Sequence, residues 1–174
     1  MEENLLLEKN KKTVRVFTLI LLIASALVLI SAIFGLFSSS FVNSFLENSK
    51  LLTNKVDIHI NQTPVIILLT LKLIISAYIV LSAIFVLQYK ETWRKQIVVG
   101  IILAMLYMLT SPLINYFNFP QINFHNSPDI PKNLTDAART MSLLIGYLWS
   151  IAWSVFFIIS IVKYNKKEIK LLFS

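Results

Sequence analysis

Residues 16–37 read VFTLILLIASALVLISAIFGLF, a stretch without a single charged side chain. A helix rises about 1.5 Å per residue, so these 22 residues are long enough to cross a hydrocarbon core about 30 Å thick. The apolar core of a signal peptide is only about 7 to 15 residues long and follows a basic start, whereas this chain begins Met1-Glu2-Glu3. The stretch therefore predicts a retained transmembrane helix.

Three further apolar stretches repeat this pattern, at residues 64–87, 96–117 and 138–162. The second is interrupted once, by Lys72, and begins with Pro64, which suits the first turn of a helix because its missing N–H is not needed there. We therefore predict an all-α fold, an integral membrane four-helix bundle in a single transmembrane domain. Its predicted spans are 16–37, 64–87, 96–117 and 138–162, and its predicted outer loops are 38–63 and 118–137.

The composition agrees with a chain whose solvent is mostly lipid. Charged residues make up 14% and hydrophobic residues 56% of the chain, whereas a soluble domain carries about 25% charged residues. The absence of cysteine excludes disulfides, thiolate metal sites and cysteine nucleophiles. It also excludes the small four-helix membrane enzymes and tetraspanin-like proteins that depend on cysteines.

The basic residues are distributed unevenly and predict the orientation. The two terminal tails and the turn at 88–95 carry eleven of them: Lys9, Lys11, Lys12, Arg15, Lys90, Arg94, Lys95, Lys163, Lys166, Lys167 and Lys170. The two longer loops hold Lys50, Lys55 and Lys132, and Arg139 lies at the adjoining start of the fourth span. Because basic residues collect on the cytoplasmic side, both termini are predicted to be cytoplasmic and both longer loops extracytoplasmic. The same placement explains the net charge of +7 without a nucleic-acid partner.

The outer loops contain two kinds of pattern. Residues 41–52 are amphipathic at helical spacing, which predicts either a segment on the outer membrane surface or an extension of the first helix. Residues 56–61 and 121–126 alternate apolar and polar side chains, as strands do. Since the two segments lie in different loops on one side, they are able to pair as a small cap.

Lys72 is a charged residue well inside the second predicted span, and such a residue is by default a candidate for a functional site. Two structural interpretations compete with a functional one. In the first, the flexible Lys72 side chain places its ammonium at the outer interface; in the second, the second helix starts only after Lys72. A functional interpretation is favoured by its helical face, which it shares with the small residues Ser76 and Ala83. Asp136, at the outer mouth of the fourth span, is the intramolecular partner we expect for its charge; otherwise an anionic ligand or lipid would compensate it.

The polar groups of the spans gather in their outer halves. The candidate ligand-binding residues are Lys72, Ser76, Ser111, Asn115 and Asp136. Either a water-accessible pocket or ordinary hydrogen bonding between helices would produce this pattern.

Two features predict close helix packing. Pro112 cannot donate a hydrogen bond to the carbonyl of Met108, and we expect Thr110 and Ser111 to satisfy the freed backbone groups. In the fourth span, small residues recur every four positions and form a stripe that permits close approach of another helix, from this chain or from a second copy. The predicted packing residues are Ser142, Gly146, Ser150 and Ser154, which continue from Ala138.

No catalytic residue, metal site or cofactor is predicted. His59 and His125 lie in opposite loops, with Asp129 near the second, and lack the tight spacing of a metal site. The first hypothesis is a non-enzymatic subunit, scaffold or accessory protein that binds a protein partner or a second copy through the fourth helix. The alternatives are a small transporter, channel or lipid-binding protein with an anion contact at Lys72, and an enzyme with chemistry in its loops. The Ile-, Lys- and Asn-rich composition indicates a bacterial cytoplasmic (inner) membrane as the location.

Overall fold

The computed structural model describes residues 2–52, 56–59, 62–118, 121–124 and 132–173, of which 2–5, 40, 42–52, 56–59, 121–124 and 132–135 are described by their backbone alone. The elements in chain order are α1 Glu2–Leu52, β1 Val56–His59, α2 Gln62–Val86, α3 Glu91–Phe117, β2 Gln121–Phe124, α4 Lys132–Asn165 and α5 Lys167–Lys170. Within them, four helical segments are long and apolar enough to cross a membrane: Leu6–Ser39, Gln62–Val86, Glu91–Phe117 and Asp136–Asn165. The chain is thus a helical bundle of the multi-pass membrane type.

The helices turn large apolar side chains outward as well as inward. Leu27, Leu106 and Leu148 are each more than half exposed, whereas the buried core includes Leu21, Ile97 and small residues such as Ala32 and Ala83. In water such a surface would be an extended apolar patch, but in a bilayer the lipid chains cover it. Small residues inside allow the helices to approach closely where lipid gives them no hydrophobic drive to associate.

Two helices are longer than the apolar runs that predicted them. α1 continues through residues 38–52, which we had placed in an outer loop, so the alternative of an extended first helix is the one observed. The sequence SSSFVNSFLENSKLL contains neither proline nor glycine, and therefore nothing in it stops the helix. α4 begins at Lys132 instead of residue 138. α2 runs unbroken from Gln62 to Val86, so the interpretation that it starts after Lys72 is wrong.

The two alternating segments of the loops form a pair of strands. β1 pairs with β2 in antiparallel register, with Val56 opposite Phe124 and His59 opposite Gln121. The predicted pairing is confirmed, over four residues in each strand. It joins the α1–α2 connection to the α3–α4 connection, and we call this end of the bundle the strand end. The opposite end, with the α2–α3 turn, the start of α1 and α5, is the terminal end.

Neighbouring helices in the chain pack along one another, whereas α1 and α4 touch much less. Their described contacts lie towards the terminal end, where Phe17 stacks on Phe156 with ring centroids 6.0 Å apart. Next to it, the Thr18 hydroxyl lies 2.7 Å from the hydroxyl of the buried Tyr164. The bundle is therefore closed between α1 and α4 at its terminal end.

A buried arginine fastens the terminal end. Arg94 at the start of α3 is 3% exposed. Its Nε and Nη2 donate to the two carboxylate oxygens of Glu91, each at 2.6 Å, and its Nη1 donates to the carbonyl oxygen of Tyr164 at 2.8 Å. Ile169 and Phe173 in and after α5 are also buried there. The hydrogen bonds of Arg94 to Glu91 and Tyr164 therefore connect the α2–α3 turn to the end of α4.

Candidate functional site

A cavity of about 490 Å3 lies among the four long helices, and its wall receives residues from each of them. Four of the five candidate ligand-binding residues line it: Lys72 and Ser76 from α2, and Ser111 and Asn115 from α3. Asp136, the fifth, does not. The structure thus brings together polar residues that the sequence could only place at similar depths.

Lys72 sits half-buried in this wall, and its Nζ donates a hydrogen bond to the Ser31 hydroxyl of α1 at 2.7 Å. The expected pairing with Asp136 is wrong, since the salt bridges between side chains that the structure describes join Glu91 to Arg94 and to Lys95. Asp136 is exposed and precedes Ser142, where α4 begins to line the cavity, by about 9 Å along the helix axis. Within the described side chains, the ammonium of Lys72 therefore has a hydroxyl partner and no carboxylate.

The other polar side chains of the wall differ in whether they already make a hydrogen bond within the protein. Ser76 donates to the Lys72 carbonyl of its own helix at 2.7 Å. By contrast, the side chains of Ser111, Asn115 and Ser142 make no hydrogen bond to any residue that the structure describes, although all three line the cavity. These three side chains, together with Lys72, can bind a polar group that enters.

The cavity changes character along the bundle axis. Towards the strand end it is lined by Lys72, Ser111, Asn115 and Ser142. Deeper in the bundle the wall is mainly apolar and comes from all four helices, with Leu21, Ile79, Ala104, Trp153 and Phe157, although the hydroxyl-bearing residues Ser25, Tyr107 and Ser150 also belong to it. The wall is consequently amphipathic, with its one charge at the polar end.

The side of the cavity between α4 and α1 is open. Ile145 and Trp149 of α4 line the cavity, yet they are 60% and 64% exposed. On the α1 side the lining residues are Leu21, Ala24, Ser25 and Val28, most of them small. Because α1 and α4 meet mainly at the terminal end, the cavity communicates sideways with the surroundings of the bundle.

The small-residue stripe of α4 packs against α3 of the same chain. A Cβ on Gly146 would lie 3.1 Å from the Cβ of Pro112. The Ser150 hydroxyl lies 2.7 Å from the carbonyl oxygen of Met108, the group that Pro112 leaves without its helical donor, and 2.8 Å from the carbonyl oxygen of Gly146 in its own helix. The expectation for Thr110 and Ser111 is wrong, because Thr110 donates to Leu106 and Ser111 faces the cavity.

The remaining stripe residues have other roles. Ser142 is exposed and lines the cavity, and the buried Ser154 hydroxyl has no hydrogen-bond partner among the described residues. The enzyme hypothesis rests on residues of the two loops. Of His59 the backbone alone is described, and His125 and Asp129 lie outside the described residues.

The Ser150–Met108 hydrogen bond predicts a specific coupling. Ser150→Ala should lower the free energy of unfolding by about 1 kcal/mol, as hydrogen bonds between membrane helices do. In a Pro112→Ala background the new N–H at position 112 can serve the Met108 carbonyl, so the same Ser150→Ala change should cost almost nothing. Unfolding in mixed micelles of all four proteins measures this cycle. Equal costs in the two backgrounds would mean that Ser150 does not act through the freed carbonyl.

Comparison of the chain with protein-family models, with curated proteins and with solved structures finds no significant match. The geometry of the cavity is accordingly the basis on which a function is proposed.

Proposed function

We propose that this chain is a non-enzymatic membrane protein that binds an anion in the cavity through Lys72, as a small transporter, channel or lipid-binding protein would. One observation carries the proposal: the Lys72 ammonium lines the cavity with a single hydroxyl partner and no described carboxylate. A cation removed from water is costly when nothing compensates its charge. A bound anion supplies that compensation through a charge-assisted hydrogen bond.

Three uncommitted polar side chains support the same assignment. Ser111, Asn115 and Ser142 come from two helices and line the wall at the polar end, where Lys72 also lies. Hydroxyl and amide groups of this kind fix the orientation of a ligand whose bulk lies against an apolar wall.

A role as a subunit or scaffold in a membrane complex is the second candidate. Gly146 and Ser150 of the α4 stripe already pack on α3, which leaves less of the stripe for a partner or a second copy. The observation that favours this candidate is the open side of the bundle, where Ile145 and Trp149 are exposed. A transmembrane helix of another protein, seated there, would cover both side chains.

We further infer a bacterial cytoplasmic membrane with both termini inside. Support comes from the terminal end, where the start of α1, the α2–α3 turn and the tail from Lys163 onward meet. The eleven basic residues that predict the cytoplasmic side all belong to these three segments.

Single-cysteine variants test the orientation, because the natural chain has no cysteine to give background labelling. A membrane-impermeant maleimide added to intact cells should label Asn126→Cys, and should label Lys11→Cys and Lys167→Cys only after the cells are opened. The reverse pattern would contradict cytoplasmic termini.

The anion site is tested by thermal unfolding of the purified protein in detergent. A ligand that binds the folded state raises the midpoint of unfolding. The panel is inorganic phosphate, citrate, butyrate, palmitate and lysophosphatidate. At least one of these should raise the midpoint for the natural chain and for Lys72→Arg, and fail to do so for Lys72→Met. No shift with any anion, or an equal shift for Lys72→Met, would overturn the proposal.

A further inference from the structure

The shape and polarity of the cavity restrict the class of ligand that can bind, on the premise that the proposed anion site exists. We infer that the ligand is a single-chain anionic amphiphile, such as a fatty acid or a lysophospholipid, with its head group at Lys72 and its chain in the apolar depth. We infer also that it enters sideways from the bilayer, between α1 and α4.

The distribution of polarity along the cavity indicates an amphiphile. A small hydrophilic anion would leave the apolar part of the wall, around Leu21, Ile79 and Phe157, without contact. An acyl chain covers these side chains, and its burial is favourable in proportion to the apolar area removed from water. The polar end offers the Lys72 ammonium to the head group, with Ser111 and Asn115 as further hydrogen-bonding groups.

The size of the cavity indicates one chain. At roughly 30 Å3 for a water-sized group, about 490 Å3 accommodates on the order of sixteen such groups. Along α3 the wall extends from Ala104 to Asn115, which is about 17 Å at about 1.5 Å per residue. A single acyl chain of roughly sixteen carbons fills a space of this length and volume, whereas the two chains of a phospholipid exceed it.

The open side indicates the route. Ile145 and Trp149 are both part of the wall and more than half exposed, so they form a threshold between the cavity and the lipid. On the facing helix, Ala24 and Ser25 have small side chains that leave room for a chain to pass. At the terminal end the Phe17–Phe156 and Thr18–Tyr164 contacts close the gap. A lipid can therefore reach the cavity at mid-bundle without crossing water.

Tryptophan fluorescence tests this inference, because two of the three tryptophans line the cavity. Trp93→Phe retains Trp149 and Trp153 as reporters. The matched control, Trp149→Phe with Trp153→Phe, retains Trp93, which lies at the terminal end outside this cavity. The probe is brominated palmitate, whose bromine quenches an indole on contact, added to the protein in detergent.

We expect saturable quenching in Trp93→Phe and none that saturates in the control. The methyl ester of the probe, which has no charge, should bind roughly ten- to a hundredfold more weakly, the loss expected when a hydrogen bond to a charged group is missing. Lys72→Met should weaken the acid to the same degree, and Lys72→Arg should retain it. Unlabelled palmitate and lysophosphatidate then compete separately, which distinguishes a carboxylate ligand from a phosphate ligand.

The remaining outcomes separate the two proposals. If butyrate or phosphate competes as well as palmitate does, the amphiphile is excluded and the anion site stands. If no anion competes and Lys72→Met binds the probe like the natural chain, the anion site itself fails. If Ile145→Cys forms crosslinks in native membranes to another polypeptide at high yield, the open side is a protein interface and sideways entry is overturned.

Discussion

Arg94→Ala is expected to lower the free energy of unfolding by about 3 kcal/mol, near the lower end of the range for breaking a buried ion pair. The guanidinium is almost completely buried and makes three short hydrogen bonds, two to the Glu91 carboxylate and one to the Tyr164 carbonyl. Without it, the carbonyl at the end of α4 loses a charged donor, and Glu91 keeps a charge without its close partner. The Glu91 side chain is 38% exposed, so water compensates part of this loss and the upper end of the range is not reached.

The matched control for Arg94→Ala removes the other cation beside the same carboxylate. Lys95 is 71% exposed and lies 3.9 Å from Glu91, so Lys95→Ala should change stability by less than about 0.5 kcal/mol. Reversible unfolding in mixed micelles, followed by circular dichroism, measures both variants. Similar effects of the two changes would contradict the role assigned to Arg94, and Arg94→Lys should remain clearly destabilised because an ammonium cannot form the two-pronged contact.

Gly146→Leu is expected to cost about 2 to 3 kcal/mol, as overpacking of a tight contact does. The first added carbon would already lie 3.1 and 3.2 Å from two ring carbons of Pro112 and 3.9 Å from its Cα. A proline ring cannot rotate away, so the larger side chain must push α4 from α3 and stretch the Ser150–Met108 hydrogen bond.

Gly35 provides the comparison for Gly146. A Cβ there would come even closer to its neighbour, 2.8 Å, but that neighbour is the Cδ2 atom at the flexible end of Leu69. Leu69 can change rotamer, and Gly35→Leu should therefore cost less than about 1 kcal/mol. Unfolding of the two variants under identical conditions decides whether rigidity of the neighbour, rather than distance alone, determines the cost. A larger loss at Gly35 would refute this explanation.

The parts of the fold that depend on local sequence could be predicted. Four apolar stretches of spanning length predicted the four helices, and alternation at 56–61 and 121–126 showed that these segments were able to pair as strands. The extension of α1 to Leu52 was an open alternative, because an amphipathic segment without proline or glycine fits both a surface helix and a continued one.

The parts that depend on distant pairings could not be predicted. In the sequence Arg94 is one of several basic residues at the turn that we predicted to be cytoplasmic, and nothing near it indicates its bond to Tyr164, seventy positions away. Lys72 was recognised from its cost in a membrane, but its actual partner, Ser31, is an ordinary serine in another helix. The expected pairing of Asp136 with Lys72 rested only on their approximate depth in the membrane. An error of a few helical turns in that depth is enough to separate the two side chains.

The cavity illustrates the same division. The polar residues of α2 and α3 at similar depths fitted either a pocket or ordinary hydrogen bonding between helices, and the structure places four of them in one wall. Its apolar depth and its open side follow from how far α1 and α4 stand apart, which no single helix encodes. The apolar depth is the reason to infer an amphiphile instead of a small anion, and the open side is the reason to infer that it enters from the lipid.

The most direct test of the site at Lys72 is what the protein carries when it is purified in mild detergent. Lipids are extracted from equal amounts of the natural chain, Lys72→Arg and Lys72→Met, and identified by mass spectrometry. We expect a single-chain anionic amphiphile in near-stoichiometric amount with the first two proteins and its loss from Lys72→Met. Equal amounts in all three, or no such amphiphile above the level found with an unrelated membrane protein, would contradict a binding site at Lys72.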